Sequence, residues 1–331
     1  MNIDLTALTT DNAFCSFFGT PPRGGFGFEL LGYGEYNINY LFQSPLSGEK
    51  LVLRIPMGSQ MHLDNQVRYE FEALRLLEKS GRTPKPLYID DGKKAIPRGF
   101  LVMEFLPGRA LDYRSDLEQA AMCLADIHGL KIQDENHLLV PEDPLSAVLE
   151  ECFAMSKHYL ESGIAVSEVK KLIQILLESG LKIVEGSNAK GRRCLVNTEL
   201  NSGNFLVNAD KTYLVDWEKP IFAYRGQDLG HFLAPTTTLW KTDSVLTETM
   251  IQGFIKNYCD ASGGNEKPEL LWAEAKPYFV MNCLRGVTWC SMAWTEYQSP
   301  DRLLKDTFTF EKIKSYLEPE FLEMIRRDYL G

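Results

Sequence analysis

Two polar side chains flank a pair of short apolar segments, and both have the chemistry of magnesium ligands. Asn204 directly precedes segment 205–207, and Asp216 directly follows segment 212–215. The Asn-Ala-Asp turn at 208–210 between these segments predicts a β-hairpin. We expect such a hairpin to bring Asn204 and Asp216 side by side at its open end. Amide and carboxylate oxygens suit Mg²⁺, which takes few protein ligands and completes its shell with substrate phosphates.

The chain upstream of this hairpin predicts a small antiparallel sheet. Residues 28–42 form two predicted strands joined by a turn that contains Gly32 and Gly34, and residues 50–55 form a third strand. Backbone N–H groups of such a turn can bind phosphate oxygens, although most Gly-x-Gly pairs are ordinary hairpin turns. Arg54 interrupts the apolar third strand, so its side chain either faces outward or has a charged partner.

A helix is predicted over about 64–80, where apolar residues recur at helical spacing. It carries two acids, Glu70 and Glu72, and either could be an ordinary solvated helix residue. Segment 99–105 predicts a strand that runs into a Leu-Pro-Gly turn. Beyond residue 111 the pattern is helical, with helices predicted near 116–130, 141–159, 166–184, 242–258 and 268–297 and from 303 onward.

Composition and charge narrow the class of protein. With 331 residues, the chain is long enough for two lobes with separate cores. Its net charge of −10 argues against non-specific binding to nucleic acid or to an anionic membrane. Seven dispersed cysteines predict reduced, buried thiols. The N-terminus lacks the pattern of a signal peptide and no apolar run approaches the length of a membrane span, so we expect a cytoplasmic protein.

The central polar residues have the spacing of a kinase catalytic loop. Glu199 lies five residues before Asn204, and the same interval separates the catalytic aspartate from the Mg²⁺-binding asparagine of protein kinases. Asp216-Trp217-Glu218 stands where those enzymes carry Asp-Phe-Gly. The stretch 194–218 therefore resembles the catalytic and metal loops of the aminoglycoside phosphotransferase and choline kinase superfamily. Members usually carry His-x-Asp at the catalytic positions, whereas this chain has Asn197-Thr198-Glu199.

The resemblance implies an α+β, bilobal protein kinase-like fold. Residues 1–106 would form an N-terminal nucleotide-binding lobe with a small antiparallel sheet and one helix. Residues 107–331 would form a larger, mostly helical lobe that binds the acceptor and carries the catalytic loop. This division is an expectation that comes from the family.

The resemblance also implies a role for each candidate residue at the nucleotide. Arg54 would contact phosphate oxygens and pair with Glu70, under a lid formed by the glycine turn. Backbone groups near Glu104 and Leu106 would bind an adenine edge. The full nucleotide-binding set is Gly32, Gly34, Arg54, Glu70, Glu104 and Leu106.

At the reaction centre, the resemblance implies that Asn204 and Asp216 hold Mg²⁺ on the phosphates of ATP. Glu199 would orient the attacking hydroxyl as the base, and Asn197 would replace the histidine that braces the loop. Asp228 matches a family acid that supports the catalytic loop, so we expect it to be structural. We interpret His128, which stands before a glycine at a helix end, as a partner for free helix carbonyls.

Together these residues predict an ATP-dependent phosphotransferase that acts on a hydroxyl of a small molecule. The alternative is a nucleotide-binding pseudokinase, since the catalytic positions are altered. A protein kinase fits least, because its His-Arg-Asp and Ala-Pro-Glu signatures are missing from the sequence. The tryptophan-rich helix 268–297 could line a cage for a quaternary ammonium group, but its apolar character nearly all round favours core packing. The identity of the acceptor, the choice of ATP over GTP and the oligomeric state are not encoded in these motifs.

Overall fold

The computed structural model describes residues 3–34, 36–59, 61–133, 135–187, 190–299 and 307–330. The chain divides into two compact units. Unit 1 comprises Met1–Ala110, Leu130–Leu138 and Phe205–Pro220, and unit 2 comprises Leu111–Gly129, Leu139–Asn204 and Ile221–Gly331. The chain therefore returns to unit 1 twice after its N-terminal part is complete. The expected lobes, 1–106 and 107–331, remain a prediction.

Unit 1 is built on a five-stranded antiparallel sheet. Its strands are β1 (Glu29–Tyr33), β2 (Asn37–Gln43), β3 (Lys50–Pro56), β4 (Pro86–Asp90) and β5 (Phe100–Glu104), in the spatial order β1-β2-β3-β5-β4. Its helices are α1 (Asn12–Phe18) and α2 (Gln66–Leu77), with 3₁₀ turns at Thr6–Thr9 and Glu78–Ser80. The central position of β3 explains why its sequence is almost wholly apolar, since both of its faces are covered.

Alternation along β3 determines which face Arg54 occupies. Leu51, Leu53 and Ile55 point into an aromatic core that α1 covers with Phe14. Side chains one residue apart on a strand point to opposite faces, so Arg54 lies on the other face of the sheet. Helix α2 packs against this second face and presents Glu70, which is 1% exposed. Arg54 is therefore a buried, paired charge.

A smaller sheet in unit 1 contains the predicted hairpin. Strands β6 (Arg109–Ala110), β8 (Phe205–Val207) and β9 (Thr212–Leu214) form an antiparallel sheet in the order β6-β8-β9. The side chain of Asn208 closes the turn, because its Oδ1 accepts the N–H groups of Asp210 (3.0 Å) and Lys211 (2.8 Å). The sequence prediction of a hairpin is confirmed.

Unit 2 is mostly helical. Its helices are α3 (Leu117–His128), α4 (Pro144–Glu161), α5 (Ser167–Gly186), α6 (Gly226–Leu233), α7 (Pro235–Lys241), α8 (Glu248–Ala261), α9 (Pro268–Gln298), α10 (Thr307–Tyr316) and α11 (Pro319–Ile325), followed by a π-helix at Arg326–Leu330. Strands β7 (Arg193–Val196) and β10 (Ile221–Tyr224) pair antiparallel. Of the helix predicted from 303 onward, residues 303–306 lie outside the described residues.

The three tryptophans of α9 are half-buried and lie on different aromatic neighbours. Trp272 contacts Phe279 edge to face, Trp289 contacts Trp240, and Trp294 contacts Tyr159. Because each indole packs on a different ring, these contacts favour packing over a shared cage.

The cysteines agree with the expectation from composition. All seven belong to the described residues and are thiols rather than disulfides; six of them are buried, and Cys15 is half-buried.

Among the described helices, none is both long and apolar enough to be a membrane span.

Close packing of α6 on α9 depends on a glycine. A Cβ built on Gly230 would lie 2.4 Å from the backbone nitrogen of Phe279 and 2.8 Å from the carbonyl oxygen of Ala275. We predict that Gly230→Ala lowers the free energy of unfolding by about 1–3 kcal/mol, because the two helices must move apart. Urea unfolding measures this loss.

Gly253 of α8 provides the matched control, since a Cβ placed there would meet no other atom within 4 Å. Gly253→Ala should raise stability by about 0.5–1 kcal/mol through helix propensity alone. An equal effect of the two substitutions would contradict the packing argument.

Candidate active site

A buried arginine organises the polar part of unit 1. Arg54 is 4% exposed, and its Nε lies 2.8 Å from Oε1 of Glu70. Its Nη2 lies 2.5 Å from Oδ1 of Asp216 and 3.4 Å from Oε2 of Glu218. One guanidinium thus binds acids from α2 and from the segment after β9, and its planar fork holds them in a more fixed geometry than a lysine ammonium would.

Three carboxyl groups lie close to the guanidinium of Arg54, namely those of Glu70, Asp216 and Glu218. Burial raises the pKa of the Glu70 carboxyl, and the nearby guanidinium opposes that shift. Further hydrogen bonds anchor Glu218, whose carboxylate accepts the amide of Asn37 and whose carbonyl accepts Gln66 Nε2 at 2.6 Å. Contacts from β2, α2 and Arg54 therefore hold Glu218 in place.

The conformation of Asp216 is unusual. Its φ of 66° places a non-glycine residue in the left-handed region, which costs free energy unless the surroundings impose it. Trp217 follows and is 1% exposed, with its Nε1–H donated to the carbonyl of Leu214 at 3.0 Å. The buried indole therefore anchors the backbone just after β9, and the Asp216 side chain remains 39% exposed beside Arg54.

The residues predicted for a phosphate lid and a hinge lie near the ends of β1 and β5. The sequence predicts Gly32 in the turn, but it is the last but one residue of β1, and Gly34 donates its N–H to the carbonyl of Asn37 at 2.9 Å. Glu104 ends β5 with its N–H donated to the carbonyl of Lys85, whereas Leu106 lies two residues beyond the strand. Roles for these residues at a nucleotide remain predictions.

In unit 2, a buried carboxylate supports the loop that carries the catalytic positions. Asp228 of α6 has no exposed surface. Its Oδ2 accepts the N–H of Asn197 and its Oδ1 accepts the N–H of Thr198, both at 2.8 Å. These two charge-assisted hydrogen bonds stabilise Thr198 at a φ of 70°, another left-handed conformation in a β-branched residue.

Sequence reasoning missed the role of His128. Its Nε2 lies 3.2 Å from Oδ2 of Asp228, and its Nδ1 lies 3.0 Å from the hydroxyl of Tyr258. Burial raises the pKa of the Tyr258 phenol, which lies against the ring of His128. The interpretation of His128 as a partner for helix carbonyls is wrong, because both ring nitrogens bond side chains.

The candidate catalytic residues of unit 2 share one hydrogen-bonded loop. The N–H of Glu199 is donated to Oδ1 of Asn197 at 3.1 Å, and the amide of Asn204 is donated to the carbonyl of Glu199 at 2.9 Å. Oδ1 of Asn204 accepts the amide of Asn201 at 3.2 Å. The backbone of Glu199 is therefore fixed on both sides of its side chain.

A second arginine, which the sequence did not point to, contacts this loop with a side chain that is 12% exposed. Nη2 of Arg285 on α9 lies 3.4 Å from Oε1 of Glu199. The same guanidinium binds Glu151 of α4 through Nε, 2.9 Å from Oε2, and through Nη2, 3.3 Å from Oε1. The sequence could not identify this contact for two reasons. Both acids are far from Arg285 in sequence. In addition, apolar residues occur nearly all round α9, so the hydrophobic pattern does not show which face of the helix carries a functional charge.

The structure divides the predicted site residues between the two units. Arg54, Glu70 and Asp216 are brought together in unit 1. Asn197, Glu199 and Asn204 are brought together in unit 2.

The oxygen donors of the candidate metal-binding residues are of the type that Mg²⁺ prefers. Asp216 in unit 1 has a carboxylate and Asn204 in unit 2 has a side-chain amide. Within the part of the chain that the structure describes, no group of three or more His, Cys, Asp or Glu could hold a metal ion. Mg²⁺ in phosphate-binding sites usually takes one or two protein carboxylates and completes its shell with water and substrate oxygens.

Comparison with known proteins adds a family model and structural neighbours. The model described as the phosphotransferase enzyme family matches residues 28–278. No curated protein matches the chain. Similar solved structures include a candidate aminoglycoside phosphotransferase from Ralstonia eutropha JMP134, with a TM-score of 0.71 and 14% identity over 99% of this chain and 98% of that one.

Two more neighbours have the same fold. Choline kinase from Cryptosporidium parvum Iowa II has a TM-score of 0.63 and 13% identity over 92% of this chain and 91% of that one. The phosphotransferase APH(2″)-IIa, in a ternary complex with streptomycin and ATP, has a TM-score of 0.61 and 16% identity over 98% of this chain and 99% of that one. The predicted kinase-like α+β fold, with an antiparallel sheet toward the N-terminus and helices toward the C-terminus, is confirmed.

The Arg54 cluster yields a prediction about stability and pH. Arg54→Met leaves the buried Glu70 without a countercharge, so we expect a loss of about 3–5 kcal/mol at neutral pH. A carboxyl whose folded pKa is raised favours folding below its unfolded pKa and loses that contribution as pH rises. The defect should therefore shrink when thermal unfolding is measured at progressively lower pH, toward the ordinary pKa of glutamate.

The double variant Arg54→Met/Glu70→Gln is the control for this effect, because it removes both charges. It should be more stable at neutral pH than Arg54→Met and show a flatter pH dependence. A single variant whose stability loss is the same at every pH would contradict the buried-charge explanation.

The Asp228 network yields a second prediction. Asp228→Asn directs an amide N–H₂ group at backbone N–H donors, so one buried donor loses its acceptor. We expect a loss of about 2–3 kcal/mol in urea unfolding. Asp210→Asn, in an exposed turn, is the matched control and should change stability by less than about 0.5 kcal/mol. Equal stability of the two variants would show that Asp228 does not support the loop.

Proposed function

The chain belongs to the phosphotransferase enzyme family, and we propose that it is a kinase that transfers the γ-phosphate of ATP to a hydroxyl of a small molecule. The observation that carries the proposal is the cluster in which buried Arg54 binds Glu70 and the acids of the Asp216-Trp217-Glu218 segment. A permanently charged, rigidly held guanidinium is suited to phosphate oxygens. The resemblance of the sequence to the aminoglycoside phosphotransferase and choline kinase superfamily agrees with the family match and with the structural neighbours.

Nucleotide binding would fall to residues of unit 1. In our proposal, Arg54 binds phosphate oxygens and the backbone around Gly32 and Gly34 covers them. Backbone groups near Glu104 and Leu106 bind the adenine edge. ATP is proposed as the donor because the neighbour APH(2″)-IIa was solved with ATP.

Asp216 and Asn204 are the proposed Mg²⁺ ligands. Such an ion, when bound, would neutralise charge on the phosphates of ATP. The left-handed backbone of Asp216 supports this assignment, because strain of this kind is concentrated at functional positions.

Glu199 is the proposed base. The acceptor oxygen would form a bond to the γ-phosphorus while the bond from that phosphorus to the β,γ-bridging oxygen breaks, so ADP leaves. The hydroxyl proton would pass to the Glu199 carboxylate. Asn197 contributes by accepting the N–H of Glu199, which fixes the base at its backbone. Preorganised positioning of this kind supplies most of the catalysis in phosphoryl transfer.

The acceptor is proposed to be a small alcohol, as the names of the neighbours suggest: choline kinase in one case, and a complex with streptomycin in another. The cytoplasmic location stays a prediction from the sequence.

The second candidate function, a nucleotide-binding pseudokinase, is favoured by one observation, namely that Glu199 stands where family members carry aspartate.

ADP release from MgATP tests the proposal directly. We predict acceptor-dependent turnover by the wild-type protein on at least one pool from a panel of small alcohols. Asp216→Ala and Glu199→Ala should each lower this turnover by roughly 10²-fold or more, through loss of a metal ligand and of the base. Asp210→Ala, an exposed turn variant, should retain wild-type turnover.

The other outcomes separate the alternatives. Mg²⁺-dependent ATP binding without turnover on any pool would support the pseudokinase. Turnover that survives Glu199→Ala would show that another group accepts the proton.

A further inference from the structure

Arg285 is a cation of unit 2 that no part of the proposed mechanism uses. Its side chain is 12% exposed and lies between Glu199 and Glu151. We propose that Arg285 is a positioning residue for the reaction: held by Glu151, it fixes the carboxylate of Glu199 where the acceptor hydroxyl must meet it. This inference rests on the proposed function, because it concerns the base of that reaction.

The geometry gives the two carboxylates different tasks. Glu151 binds the guanidinium through two nearly parallel contacts, at 2.9 and 3.3 Å, which orient the plane of the fork. Glu199 makes one longer contact, at 3.4 Å, with Nη2. The bidentate pair therefore anchors Arg285, and Arg285 in turn orients Glu199.

Glu199 needs such a partner more than an aspartate would. Its backbone is fixed by the loop, since its N–H and its carbonyl both make hydrogen bonds. The glutamate side chain still has one more rotatable bond than aspartate, and its carboxylate can occupy several positions. An ion pair to a largely shielded cation on a long helix selects one of these positions. This pairing offers a physical reason why the chain can function with glutamate at this position.

Burial makes the contact effective. Glu199 is 26% exposed and Glu151 is 31% exposed, whereas the guanidinium between them is largely shielded from water. Exposed ion pairs contribute little, but a shielded one restricts geometry strongly. A misplacement of about 1 Å at a reacting group can cost roughly 10²-fold in rate.

A double-mutant cycle on kcat tests the proposal. The four proteins are wild type, Arg285→Lys, Glu199→Asp and the double variant. Lysine keeps the positive charge but cannot bind both carboxylates in the fork geometry. Aspartate keeps a carboxylate but withdraws it from Arg285 by one methylene, so turnover remains measurable.

We expect Arg285→Lys alone to lower kcat roughly 10- to 10²-fold. The KM for ATP should stay within about twofold of wild type, since the nucleotide is proposed to bind in unit 1. In the Glu199→Asp background, the same Arg285→Lys substitution should lower kcat by less than about twofold, because the contact is already lost.

Lys276→Arg, an exposed substitution on the same helix, is the matched control and should leave kcat unchanged. Thermal unfolding of all variants measures any general loss of structure. If Arg285→Lys lowered kcat by the same factor in the wild-type and Glu199→Asp proteins, the proposal would be overturned. Such a result would mean that Arg285 only holds α4 and α9 together, because that role does not depend on the residue at position 199. A wild-type protein without turnover would instead overturn the proposed function itself, and the inference with it.

Discussion

The loop that carries the candidate base depends on one buried carboxylate. A carboxyl group without any exposed surface, such as that of Asp228, is tolerated only when hydrogen bonds replace its lost hydration. Backbone N–H groups of Asn197 and Thr198 and the ring of His128 supply them. These bonds tie the loop to α6 and α3, and Tyr258 extends the network to α8. Three helices from different parts of the chain thus impose the conformation of the loop, which is what allows Thr198 to remain in a left-handed conformation.

Much of the fold was predictable because its signals are local. The apolar run of β3, the helical spacing of α2 and the Asn208 turn each involve a few neighbouring residues. The choice between Glu70 and Glu72 also has a local physical basis, since only one face of α2 meets the sheet. Glu70 is buried on that face, whereas Glu72 lies partly exposed, 3.8 Å from Arg68 one helical turn away.

The features that the sequence could not predict are all long-range. His128 contacts residues 100 and 130 positions away, and Arg285 contacts Glu151 from a distance of 134 positions. No periodicity links such residues. Helix α9 adds a particular difficulty, because apolar residues cover nearly every side of it and hide the face that carries a useful charge. The left-handed φ values of Thr198 and Asp216 were equally hidden, because neither residue type requires them.

Each unit contains an arginine that contacts more than one carboxyl group. Arg54 in unit 1 is buried, and Arg285 in unit 2 keeps 12% of its side-chain surface exposed. In each case one acid anchors the guanidinium through a short contact from its Nε: Glu70 at 2.8 Å and Glu151 at 2.9 Å. Asp216 and Glu199, to which chemistry is assigned, contact Nη2 and keep 39% and 26% of their side-chain surface exposed. In the mechanism that we propose, an arginine held by one carboxyl group orients a second one, and that second acid stays partly hydrated and so avoids most of the desolvation cost of burial.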